Sequence, residues 1–184
     1  MRVAFSGTHR VGKSTLLEAV NNALPRYATF DEPYNLLEEE GYEHADPPTR
    51  EDFEAQLERS LAALEESGQD ALFDRCPADV LAYLLMHGDA DEDDGRDEWI
   101  ERVREAMGTL DLVVFVPIER PDRIAVPVHE DRRYRQRVHD KLAAILLDDS
   151  YDFGVEVLTV DGDLAHRVAA VVQRVRSASR AAKR

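Results

Sequence analysis

Residues 7–14 read Gly7-Thr8-His9-Arg10-Val11-Gly12-Lys13-Ser14 and fill the pattern G-x-x-x-x-G-K-[ST] completely. Glycine lets the backbone turn so tightly that successive N–H groups aim inward at phosphate oxygens. A helix beginning near Lys13 adds its positive N-terminal end. Lys13 is then placed to reach the β- and γ-phosphates, the Ser14 hydroxyl to bind Mg²⁺, and Thr15 to add a phosphate contact. Thr8, Arg10 and Val11 supply backbone to the same cradle. His9 lies inside the loop, where phosphate contact, substrate contact and simple loop filling are all open to it. The expected ligands are ATP and Mg²⁺.

Other groups suit the same chemistry. Asp74 ends the apolar stretch Ala71-Leu72-Phe73, where a carboxylate can hold Mg²⁺ through water or accept a substrate proton. Arg75 beside it can hold an anion; a helix cap with a solvated neighbour is the plainer reading of the pair. Asp31-Glu32-Pro33 follows a weaker apolar stretch. A carboxylate there can take the proton of an acceptor hydroxyl; a turn with a helix cap before Tyr34 competes with that reading. Arg132, Arg133, Arg135 and Arg137 fall within six residues. On a helix they form two pairs on adjacent faces and can close over transferring phosphates, with Glu130 and Asp131 holding them in position; a salt-bridged surface helix is the alternative. In Val160-Asp161-Gly162-Asp163, Asp161 or the backbone at Gly162 can lie beside a nucleotide base, with Asp163 as the cap of the next helix.

Apolar patterning supplies the elements that must position these groups. Val3-Ala4-Phe5, Tyr27 to Asp31, Ala71 to Phe73, Leu110 to Val116 and Val155 to Val160 read as strands. Between them, Ser14 to Asn22, Arg50 to Ser67, Ala78 to His87, a face through Trp99, Val103 and Met107, Arg132 to Leu147, and Leu164 to Val175 have helical spacing. The basic tail from Arg174 to Arg184 reads as a frayed, solvated end. Strand–helix alternation predicts an α/β fold with a mostly parallel sheet, and no Gly/Ser/Pro-rich linker divides residues 1–184.

The composition narrows the partners. The 184 residues carry a net charge of −15, which opposes general binding to nucleic acid or anionic membranes. Cys76 is the one cysteine and reads as a buried thiol. The apolar runs from Leu112 to Ile118 and Leu142 to Leu147 are far shorter than the roughly 20 residues of a membrane span, so a cytoplasmic protein is expected. The acidic run Asp89 to Gly95 lacks the glycine and glutamate placement of a calcium loop and reads as solvated. No D-x-x-G or N-K-x-D occurs, so a Ras-like GTPase is excluded.

The ordered set GTHRVGKSTL, DEP, FDRCPADVLAYL, RRYRQR and VDGD resembles the small P-loop kinase-like ATP-binding domains, loosely called AAA-type. They are similar to the nicotinamide-riboside-kinase domain and, more distantly, to deoxynucleoside and thymidylate kinases. The resemblance implies a three-layer fold with a five-stranded parallel sheet ordered 2-3-1-4-5 and a helical lid at about residues 119–140. It implies that Gly7, Gly12, Lys13, Ser14 and Thr15 bind triphosphate and Mg²⁺, and that Glu32 approaches the acceptor hydroxyl. Asp74-Arg75 matches the acidic-Arg pair after the third strand, and Arg132, Arg133, Arg135 and Arg137 match lid arginines. Residue 76 is Cys where the family often has Ser. Tyr34, Phe53 and Tyr83 are the candidates for stacking an acceptor. The expected activity is ATP-dependent phosphoryl transfer to a small metabolite, a nucleoside or nucleotide-like compound, with Glu32 or Asp74 receiving the proton. A nucleotide switch acting through a protein partner is the alternative, phosphorylation of a nucleic-acid end a remoter one, and homodimerisation is left open.

Overall fold

A computed structural model describes residues 1–87, 95–119, 122 and 131–181. Five strands, β1 (Arg2–Ser6), β2 (Ala28–Phe30), β3 (Ala71–Asp74), β4 (Leu112–Phe115) and β5 (Val157–Thr159), pair in parallel in the order β2-β3-β1-β4-β5. The described helices are α1 (Lys13–Ala23), α2 (Pro33–Glu39), α3 (Arg50–Glu66), α4 (Pro77–His87), α5 (Arg96–Met107), α6 (Arg132–Leu146) and α7 (Leu164–Ala181). A parallel sheet is covered on both faces, so its central strands are apolar throughout. The strand period of two then sorts side chains into layers. Val3, Phe5, Leu72, Leu112 and Val114 meet Leu16 and Val20 of α1 and Val171 and Val175 of α7. Ala4, Phe73, Val113 and Phe115 meet Leu57, Leu81, Val103 and Leu142 from α3 to α6. The three-layer architecture and the strand order are those expected.

The helix-cap reading of Asp31-Glu32-Pro33 holds, and one local expectation changes. The segment after Glu32 is a helix, α2, with Pro33 at its first position, where its missing N–H is not needed and its fixed φ is helical. Residues 176–181 are not frayed: α7 continues to Ala181, with no Gly or Pro to stop it and Ser179 Oγ donating back to the Val175 carbonyl at 3.1 Å. Ten residues of the expected lid, 120–121 and 123–130 with Glu130, lie outside the described residues, as do residues 89–94 of the acidic run. Among the described residues no helix is long and apolar enough to cross a membrane.

The sheet places the site. β1 lies between β3 and β4, with Phe5 beside Asp74 and Ser6 beside Phe115. The loop leaving β1 therefore emerges next to Asp74-Arg75 and next to Val116. In open parallel sheets the crevice past the carboxyl ends of the strands, where the strand order reverses, is the ligand position.

Candidate active site

The loop between β1 and α1 starts at Gly7, whose φ is +143°. A Cβ there would lie 2.4 Å from the Val116 carbonyl oxygen, so the β4 backbone excludes any side chain. Gly7→Ala is expected to destabilise the fold by about 1–3 kcal/mol through overpacking and to weaken ATP binding in the same protein; melting and nucleotide titration check both. The Gly7 N–H donates to Asp79 Oδ1 at 3.0 Å, while Asp79 Oδ2 accepts from the Cys76 N–H at 3.0 Å. Asp79 is fully buried and so ties the start of the loop to the β3–α4 turn.

At the far end Gly12, at φ 89°, is the N-cap of α1, which has no side-chain cap and no acidic residue in its first turn. Its first N–H groups are left for a ligand, and the dipole favours an anion. Ser14 and Thr15 are exposed there. Lys13 is buried, and its Nζ donates to the Thr8 carbonyl at 3.0 Å. Burial first and the Arg75 cation second pull its pKa from 10.5 to about 8, against Asp79, Asp74 and Glu32. The His9 ring reaches toward Tyr83: its Nδ1 lies 3.4 Å from both Thr8 Oγ1 and Tyr83 Oη.

Asp74 is buried, with Oδ1 lacking any partner and the Ser14 hydroxyl near enough to favour the charged carboxylate. Burial raises this carboxyl above its ordinary range, opposed by Ser14 and Lys13. An orphaned carboxylate oxygen beside a hydroxyl at the loop's end fits Mg²⁺. Among the described residues no cluster of three or more His, Cys, Asp or Glu could hold a metal. Mg²⁺ needs none, because it keeps waters and takes phosphate oxygens with one or two carboxylates.

Glu32 and Arg75 meet across the crevice: Arg75 Nε donates to Glu32 Oε2 at 2.7 Å. Arg75 sits at φ 77°, an uncommon conformation for a side-chain-bearing residue, and its guanidinium also lies 5.7 Å from the Tyr83 ring centroid. Burial pushes the Glu32 carboxyl up, but Arg75 and then Lys13 outweigh it and hold it below the usual range. Asp31 takes the turn role instead, accepting from the Glu32 N–H at 2.7 Å.

A cavity of about 160 Å³ opens from this pair, lined by Glu32, Tyr34, His44, Pro48, Phe53, Gln56, Arg75, Val80 and Tyr83. Phe53 and Tyr83 stack with 5.7 Å between centroids, and Tyr34 stacks on His44 at 3.9 Å. Asp52 braces the segment that carries His44 and Pro48. It closes a capping box with Thr49 at the start of α3 and also accepts from Tyr42 Oη (3.2 Å) and the Ala45 N–H (3.3 Å). All four expected acceptor residues, Glu32, Tyr34, Phe53 and Arg75, therefore line one space. A larger cavity, about 540 Å³, lies between α3 and α5 beside Arg2 at the opposite ends of the strands, and none of the expected site residues lines it.

The arginines separate. Arg132, Arg133 and Arg137 are exposed on α6, whereas Arg135 is buried. Arg135 Nε donates to the His9 carbonyl and Nη2 to the Arg10 carbonyl, each at 3.2 Å, and Nη1 pairs with Asp122 at 3.0 Å. Its guanidinium is thus on the back of the loop, not among the exposed arginines, because α6 packs that face inward with Val138 and Leu142. Asp131 does not hold an arginine side chain either: it caps α6, accepting the Arg133 and Tyr134 N–H groups at 2.8 and 3.0 Å. The Asp161-Gly162 turn lies near the same side. Gly162, at φ 82°, donates its N–H to Glu119 Oε1 at 2.6 Å, and Asp161 is exposed. Sequence reasoning missed Asp79, His44, Gln56 and Arg167. Asp79 in the first turn of a helix after Asp-Arg was a usable signal; Arg167, in an evenly amphipathic helix, offered none.

The fold and the loop define a P-loop kinase-like domain. The chain belongs to the AAA domain family, whose model matches residues 2–167. No curated protein matches it in sequence. Among solved structures it is similar to a deoxyadenosine kinase from M. mycoides with products dCMP and a flexible dCDP bound: 17% identity, 96% of this chain and 100% of that one, TM-score 0.70. It is similar to NadR protein in complex with NR, with 17% identity over 95% of this chain and 50% of that one, TM-score 0.65. Thymidylate kinase from Candida albicans aligns at 13% identity over 96% and 91%, TM-score 0.64. Likeness at these identities establishes the fold.

Proposed function

We propose that this protein transfers the γ-phosphoryl group of ATP to a hydroxyl of a small acceptor, a nucleoside or nucleotide-like compound. The observation that carries the reading is the aromatic-walled cavity opening on the Glu32–Arg75 pair beside the phosphate loop. An ATPase or a switch needs no such space, and about 160 Å³ suits a single ring system better than a polymer. The kinases among the similar structures support the same direction.

In this reading the α1 N-terminus and Lys13 bind the phosphates. Phosphate binding favours the ammonium form of Lys13, whose proton the buried free site holds weakly. Ser14 and Asp74 would hold Mg²⁺, which when bound neutralises charge on the transferring group. Glu32 is ionised at neutral pH and accepts the acceptor's hydroxyl proton. Arg75 orients Glu32 and the hydroxyl. Phe53, Tyr83 and Tyr34 hold the acceptor's flat face, and the Gln56 amide offers both a donor and an acceptor to a ring edge. An acceptor that fills this cavity displaces water from it, which favours transfer over hydrolysis.

The test is ADP release from Mg-ATP with and without nucleosides, mononucleotides and nicotinamide riboside, with Lys13→Ala as blank. Acceptor-dependent ADP release with a phosphorylated product establishes transfer. Equal release with every compound, raised only by a protein partner, overturns it in favour of a switch.

A further inference from the structure

A phosphate loop works only if its N–H groups face the ligand, which forces its carbonyls outward. Here the carbonyls of residues 9–11 face α6 and α7, whose side chains can supply the donors they need. Two buried guanidinia supply them. Arg135 donates to the His9 and Arg10 carbonyls, each at 3.2 Å. Arg167 Nη1 donates to the Val11 carbonyl at 3.0 Å and Nε to the Gly162 carbonyl at 2.9 Å. The side chains are 4% and 9% exposed, and among the described residues each has one carboxylate partner: Asp122 at 3.0 Å for Arg135 and Glu119 at 3.1 Å for Arg167. Three consecutive carbonyls, residues 9 to 11, are thereby held from behind. The middle one belongs to Arg10, at φ 57°, a left-handed conformation disfavoured without support.

From this geometry we infer that Arg135 and Arg167 are positioning residues that set the phosphate affinity of the loop without touching the nucleotide. They fix the peptide planes of residues 9–11 so that the intervening N–H groups aim at phosphate, and their charge adds to the field there. Arginine suits the task because its planar fork reaches neighbouring acceptors together. Glu119 also accepts the Gly162 N–H, so the β5–α7 turn is braced through the same group. The inference rests on phosphate occupying the loop.

The test is calorimetric titration with ATP and with inorganic tripolyphosphate, which engages the loop without a base. Arg135→Gln and Arg167→Gln are expected to lose tenfold or more in affinity for both probes, to a similar extent. Arg135→Lys and Arg167→Lys restore charge and one donor and are expected to fall between, at least threefold weaker than wild type. Arg176→Gln, on α7 and remote from the loop, is expected to bind as wild type. A structural role alone would lower the melting temperature but leave tripolyphosphate affinity of the folded fraction unchanged. Wild-type affinity in the folded Gln variants overturns the brace. Should those variants not fold, wild-type affinity in the Lys variants overturns it equally. A wild-type protein that binds neither probe overturns the phosphate-loop reading and the brace with it.

Discussion

Lys13→Met is expected to weaken ATP binding by about a hundredfold or more and yet to raise the stability of the free protein at pH 7. Both effects come from burying a cation with no carboxylate hydrogen-bonded to it. The ammonium donates to the Thr8 carbonyl and is 6% exposed, with its pKa brought from 10.5 to about 8. That shift corresponds to about 3 kcal/mol against the folded state wherever the lysine is charged in both states. Loss of the bond to Thr8 takes back about 1 kcal/mol, leaving a gain of about 2 kcal/mol. The pH dependence has a definite sign. Between about pH 8 and 10.5 the unfolded chain keeps a proton that the folded protein has lost, so wild-type stability rises with pH there. The advantage of Lys13→Met is expected to shrink over that window and to reverse slightly above it, where only the lost Thr8 bond remains. Thermal melts at pH 7 and pH 10 check this; a Met variant less stable than wild type at pH 7 contradicts the burial account.

Glu32→Gln is expected to lower acceptor turnover by a factor of about 10² to 10⁴, the usual contribution of a positioned base, with ATP affinity within a few-fold of wild type. Gln keeps the shape and an acceptor oxygen for Arg75 but cannot take a proton. Asp74→Asn is expected to lose turnover as well, in a different manner. If Asp74 holds Mg²⁺ with Ser14, its deficit shrinks as Mg²⁺ is raised, whereas that of Glu32→Gln does not. Turnover against Mg²⁺ concentration separates the two roles, and wild-type turnover in either variant removes that residue from the chemistry. The directions of their pKa values agree with the division. Arg75 and Lys13 keep Glu32 ionised against the effect of burial, while burial leaves Asp74 short of a cation.

Parts of this site were legible in sequence because they obey local rules. The G-x-x-x-x-G-K-[ST] spacing is dictated by backbone turn geometry and by the start of a helix, both confined to a few residues. Asp74 and Glu32 could be placed at strand ends because apolar runs stop there. Their partnership could not. The carboxylate of Glu32 is joined to Arg75 across 43 positions of chain, a contact created only when β2 and β3 pair. Arg135 shows the converse failure. Four arginines within six residues look alike in sequence, but α6 turns one of them into the interior and leaves three in water.

The sequence by itself determined the alternation of strands and helices, the phosphate loop, and the types of side chain available to it. These depend on hydrophobic period, glycine freedom and helix ends, which act over a turn or two of backbone. Only the tertiary structure decided which groups meet. It joined Glu32 to Arg75, assembled Tyr34, Phe53 and Tyr83 into one cavity, drew Asp79 onto the Gly7 N–H, and set Arg135 and Arg167 behind residues 9–11 from 125 and 156 positions away. The physical reason is that buried carbonyls, carboxylates and guanidinia must find partners once water is excluded. Packing, not chain proximity, determines which partners are within reach.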